Sequence, residues 1–85
     1  HIQIALFPDK ITLQKILKQS QSSEDVFAFL NEKGFTHILY DIRYILGKYS
    51  TFSEKESALF LTFQNKFLKL IKSDKNIYYL YRIYR

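Results

Sequence analysis

Gly34-Phe35-Thr36-His37-Ile38-Leu39-Tyr40-Asp41 is the stretch that decides the fold, and Asn76-Ile77-Tyr78-Tyr79-Leu80-Tyr81-Arg82-Ile83-Tyr84-Arg85 is its counterpart at the chain's end. Phe35 to Ile42 is apolar on both alternating sets, Phe35 and Leu39 on one and Ile38, Tyr40 and Ile42 on the other. Strands buried on both faces read this way, which makes it the expected central strand. In the terminal run Ile77, Tyr79, Tyr81 and Ile83 share one face, and Tyr78, Leu80, Arg82 and Tyr84 share the other. Tyrosine and arginine on both sides predict a strand nearer a sheet edge than its centre.

Between these runs lies an amphipathic segment. Ser53 and Glu56 form an S-x-x-E capping box ahead of a helix expected to reach about Lys72. Leu59, Phe60, Phe63, Phe67, Leu70 and Ile71 fall on one side of the helical wheel, with Lys55, Lys66 and Lys69 roughly opposite. Leu61 and Leu68 widen the apolar arc beyond the ~100° stripe that one sheet contact requires. That surplus flank either wraps round the core or meets another part of a larger protein.

Upstream, Ile2 to Phe7 alternates loosely and stops at Pro8-Asp9, so a short strand and a turn are expected. Lys10 to Gln19 carries Leu13, Ile16 and Leu17 at helical spacing. Ser22 or Ser23 then caps a second helix, with Glu24 and Asp25 favourable in its first turn. Gly34 ends that helix, because glycine takes the left-handed conformation at least cost. From Arg43 to Phe52 the pattern is ambiguous, since Tyr44-Ile45-Leu46 could extend the strand or make a helical turn before Gly47. The expected architecture is a single α/β domain spanning residues 1–85, in the order β-α-α-β-α-β. About three strands form its sheet, helices cover it, and the first two strands run parallel through a crossover. The direction of the last strand stays open.

Eighty-five residues place the chain near the small end of what folds unaided. It has no cysteine, so burial alone must stabilise it, and 47% hydrophobic with seven Tyr and eight Phe supplies the means. It begins at His1 and contains no Met, which suggests a piece of a longer protein. No apolar run approaches the ~18 residues needed to cross a bilayer. The +5 net charge is uneven: residues 1–42 carry four Lys against five acids, and residues 43–85 carry nine Lys or Arg against three. A basic half suits nucleic acid or an anionic membrane surface. Spaced lysines without clustered arginine favour an ordinary solvated face.

Catalytic signatures are absent from the sequence. Its two glycines fit no phosphate-cradling loop, and no Cys/His pair or ordinary zinc set can be assembled. His37, Asp41 and Arg43 form the one cluster to weigh. In a strand His37 and Asp41 share a face but stand about 13 Å apart at roughly 3.3 Å per residue, too far to bond. A structural role, with Asp41 capping a turn or pairing with Arg43, is the favoured expectation. A degenerate hydrolase site would instead need further acids around Asp41. Tyr78, Tyr79, Tyr81 and Tyr84 with Arg82 and Arg85 could stack bases beside phosphate contacts, which defines a rival nucleic-acid-binding reading.

The run F-L-N-E-K-G-F-T-H-I-L-Y-D, then F-S-E-K-E-S-A-L-F-L-T-F, then N-I-Y-Y-L-Y-R-I resembles the C-terminal soluble region of bacterial polytopic membrane glycosyltransferases of the protein-mannosyltransferase/dolichyl-phosphate-mannose type, or their uncharacterised relatives. There a leucine-rich helix leads into a G-x-T-H-hydrophobic strand, matched by Gly34, Thr36, His37, Ile38 and Leu39. The chain closes on an h-Y-L-Y-x-I strand, matched by Tyr79, Leu80, Tyr81 and Ile83. The likeness covers residues 24–85, and Ile2 to Gln21 lie outside it. It implies a non-catalytic, membrane-attached domain on the extracytoplasmic side. No cofactor or metal is implied, and no catalytic residue carries over. The implied partners are the membrane portion of the same chain, the membrane surface or an acceptor substrate, with nucleic acid disfavoured. Leu61, Leu68, Tyr78, Arg82 and Tyr84 are the expected interaction surface.

Overall fold

The computed structural model describes residues 2, 4–7, 10–44 and 52–84. Elements follow the order β1 (Ile4–Phe7), α1 (Lys10–Gln19), α2 (Ser23–Glu32), β2 (His37–Asp41), a 3₁₀ turn (Ile42–Tyr44), α3 (Glu54–Phe67), β3 (Leu68–Asp74) and β4 (Tyr78–Ile83). They build one four-stranded mixed sheet in the order β1-β2-β4-β3. β1 and β2 are parallel, as expected, and β4 runs antiparallel to both β2 and β3. The α/β class holds, with one strand more than the pattern predicts.

Local chemistry sets the helix boundaries. The Ser22 hydroxyl accepts the Asp25 N–H at 3.3 Å at the start of α2. At its end Gly34 takes φ 83°, with the Gly34 N–H on the Asn31 carbonyl and the Phe35 N–H on the Leu30 carbonyl. These are the two bonds of a Schellman cap, for which glycine avoids a Cβ clash. At α3 the Ser53 hydroxyl accepts the Glu56 N–H at 3.1 Å, and the Glu56 carboxylate accepts the Ser53 N–H at 2.8 Å. The capping box is complete in both directions.

The far end of α3 departs from expectation. The helix stops at Phe67, and Leu68 turns extended at φ −116°, ψ 139°. Residues expected in its last turns form β3 instead, so Leu70 and Ile71 are 47% and 51% exposed rather than buried on a helix face. The reason is non-local. As a strand, Leu68–Asp74 satisfies the second edge of β4, and Lys75 and Asn76, at φ 55° and 56°, supply the left-handed pair a tight hairpin turn demands. The Ile77 N–H closes that turn on the Asp74 carbonyl at 3.0 Å. A register shift between Leu70 and Lys72 adds a bulge. β4 is consequently an inner strand, and the sheet edges are β1 and β3.

A single core lies between the helices and one face of the sheet. Leu13, Ile16 and Leu17 of α1, Val26 and Leu30 of α2, and Phe60 and Phe63 of α3 pack with Ile38, Tyr40, Leu68, Tyr81 and Ile83. Tyr40 is its hub. Its ring stands edge-on to Phe60 at 5.1 Å and lies parallel to Tyr81 at 5.6 Å. Its hydroxyl donates to Gln64 Oε1 at 2.6 Å, which meets the need of a buried polar group. Phe27 stacks on Phe67 at 4.6 Å and joins α2 to α3. The Pro8-Asp9 turn and the ambiguous Ile45-Leu46-Gly47 stretch lie outside the described residues, and the segment before them makes the 3₁₀ turn.

Candidate functional site

All three helices belong to the core that includes Ile38, Tyr40, Tyr81 and Ile83, so they cover one face of the sheet. Among the described residues no helix covers the other face. Alternation along β2 and β4 puts His37, Leu39, Asp41, Tyr78, Leu80, Arg82 and, beyond the strand, Tyr84 there, with Asp41 buried under its Arg43 partner. Tyr78 and Tyr84 are 44% and 50% exposed at the two ends of β4. Arg82 is exposed, and Leu39, Leu80 and His37 are half-buried.

Three of the five expected surface residues, Tyr78, Arg82 and Tyr84, thus lie together on this open face. Leu61 does not join them, being half-buried on α3. Leu68 is a correction. It is the first residue of β3 and only 8% exposed, opposite Ile83 in the core, so it forms no outward flank of a helix. The four-tyrosine stacking platform also fails to assemble. Tyr81 is 8% exposed, and Tyr79 stacks against Tyr40 and Tyr81 on the helix side.

Asp41 is buried at 2% exposure, with the Arg43 guanidinium spanning both its oxygens and the Arg43 N–H bonded to Oδ1 at 2.9 Å. The hydrogen bonds from Arg43 hold its carboxyl below the usual carboxylate range, against the opposing effect of burial. This is the structural pairing expected from the sequence, and it leaves Asp41 fully engaged. No group of three His, Cys, Asp or Glu able to hold a metal occurs among the described residues. His37 Nδ1 lies 2.7 Å from Thr36 Oγ1.

Two polar pairings had only a faint trace in the sequence. Gln64 follows Phe60 by one helical turn, and this polar residue on the apolar face was the available sign of the Tyr40 bond. Burial pushes the Tyr40 phenol upward, and the neighbouring Tyr81 hydroxyl adds to the shift. Glu56 accepts from Gln14 Nε2 at 3.0 Å as well as from the cap. Burial raises the Glu56 carboxyl, but hydrogen bonds from Ser53 and Gln14 outweigh it and the net shift is downward. A cleft of 220 Å³ beside Glu56 is lined by Leu17, Lys18, Ser20, Ser53, Lys55 and Leu59. Its one buried acid already has its partners inside the fold.

The class defined by these features is a small mixed-sheet α/β domain with helices on one face and an amphipathic open face. Comparison with protein-family models, curated proteins and solved structures finds no match. Among the described residues no helix is long and apolar enough to cross a membrane.

Proposed function

We propose that this chain is a non-catalytic extracytoplasmic domain of a glycosyltransferase-like membrane protein, packing on the membrane portion or aiding acceptor recognition. The observation that carries the reading is the pairing of the two motifs behind the resemblance. Ile38 and Leu39 of the G-x-T-H-hydrophobic stretch are the register partners of Tyr81 and Leu80 of the closing h-Y-L-Y-x-I stretch. The matched residues therefore sit side by side on the two inner strands. The open face beside them offers a place for contact. The coding sequence upstream is the test: about ten apolar spans of ~20 residues are expected, and a gene encoding none contradicts the proposal.

A basic nucleic-acid-binding module is the rival, favoured by the exposed Arg82 between Tyr78 and Tyr84 on one face. Affinity for single-stranded oligonucleotides at two salt concentrations separates the two. Binding by phosphate contacts must weaken steeply with salt, and its absence at micromolar protein removes the rival.

A further inference from the structure

Strand register sorts the open face into rows. One row runs from His37 on β2 through Arg82 on β4 to Lys69 on β3, the next from Leu39 through Leu80 to Lys72, and a third from Asp41, already paired with Arg43, through Tyr78 to Asp74. Directly opposed side chains stand about 4.5–5.5 Å apart at Cβ, so Arg82 and Lys69 are like charges held side by side, a destabilising pair. Among the described residues neither side chain has an ion-pair partner; the salt bridges there join Arg43 to Asp41 and Lys66 to Glu24. Among the described residues this face carries three cations without an ion-pair partner, Lys69, Lys72 and Arg82, against one such carboxylate, Asp74, beside the band of Leu39 and Leu80, which no described helix covers.

We propose that this face seats on an anionic lipid surface. Arg82 and Lys69 meet headgroup phosphates, Leu39 and Leu80 face the acyl boundary, and Tyr78 and Tyr84 lie at headgroup level, where tyrosine concentrates in membrane interfaces. The charge of the row matches anionic lipid, and the band beside it selects lipid over the alternatives. Bases stack on aromatic or guanidinium planes, whereas the centre of this face is aliphatic and Tyr79 and Tyr81 point away from it. The inference rests on the open face alone and stands whether or not the parent protein is a glycosyltransferase.

Sedimentation with phosphatidylcholine vesicles, with and without 30% phosphatidylglycerol, tests it at low and high salt. The expected result is binding to the anionic vesicles only, weakening as salt rises. Each cation at the surface contributes roughly fivefold, so Lys69→Ala/Arg82→Ala should lower partitioning about 25-fold. Lys15→Ala/Lys55→Ala removes the same charge from exposed helix positions and should change it less than twofold. Circular dichroism checks that both variants stay folded. Equal losses in the two variants, equal binding to neutral vesicles, or tighter Arg82-dependent binding to a single-stranded oligonucleotide than to vesicles overturns the proposal.

Discussion

The two faces of the sheet are made from alternate residues of the same strands, and β4 shows how differently they are used. Tyr79, Tyr81 and Ile83 look into the helix layer, while Tyr78, Leu80 and Arg82 look out. Both sets contain tyrosine and an aliphatic residue, so composition does not separate them. The layer above does. On the covered face Tyr81 lies flat on Tyr40 and Phe60 meets Tyr40 edge-on, a close-packed arrangement in which each ring has fixed neighbours. On the open face Arg82 stands opposite Lys69, a pairing that a face selected for stability alone would avoid. One face holds the fold together, and the other carries groups whose arrangement is costly to it.

Truncation should expose the largest difference. Phe63→Ala empties a fully buried site and should cost about 3–5 kcal/mol in urea unfolding. Tyr84→Ala on the open face should stay within about 0.5 kcal/mol. Comparable losses would mean that the two faces do not differ in their contribution to stability. Next comes Arg43→Ala, which strips the guanidinium from the buried Asp41 and should cost about 1–2 kcal/mol, moderated because Arg43 is 42% exposed.

The pH dependence of the Arg43 effect follows from the direction of the shift. Asp41 is lowered from its usual 3.8 in the folded chain, so its contribution is complete above that value and is lost as pH falls through the lowered folded pKa. Wild type and Arg43→Ala should therefore converge in stability only in acid. A gap that persists unchanged to the lowest pH would deny the pairing its role.

Ser53→Ala should cost about 1 kcal/mol by removing the oxygen that caps α3, measured by thermal unfolding. The smallest effect has the opposite sign. Lys69→Glu replaces a like-charge pair with an attractive one opposite Arg82 and should stabilise by about 0.2–1 kcal/mol. Destabilisation there would mean that the two residues do not face each other.

What the sequence revealed depended on whether the deciding chemistry was local. Ser22, Gly34 and the Ser53–Glu56 box act on neighbours within one helical turn, and each stands where its residue type predicts. The inner position of β2 also agrees with its apolar residues on both alternating sets, although the expected burial on both faces does not hold, since His37 and Leu39 are only half-buried. β3 was hidden for the converse reason. No glycine or proline marks the end of α3, and Leu70 and Ile71 continue its helical period. Only the free edge of β4 and the Lys75–Asn76 turn make the strand preferable, and these are tertiary facts. Tyr78, Arg82 and Tyr84 were legible as a set by alternation. Lys69 and His37 were not, because their place beside Arg82 depends on registers that the chain's linear pattern does not specify.

The chain contains no cysteine, so single cysteines can be placed along β4 and their labelling rates compared. Alternation is the expected result: Tyr78→Cys, Arg82→Cys and Tyr84→Cys react rapidly with a thiol reagent, while Tyr81→Cys and Ile83→Cys are protected until the chain unfolds. Rates that are uniform along the strand, or fast at positions 81 and 83 and slow at 78, 82 and 84, would contradict the division of the sheet into a covered face and an open one.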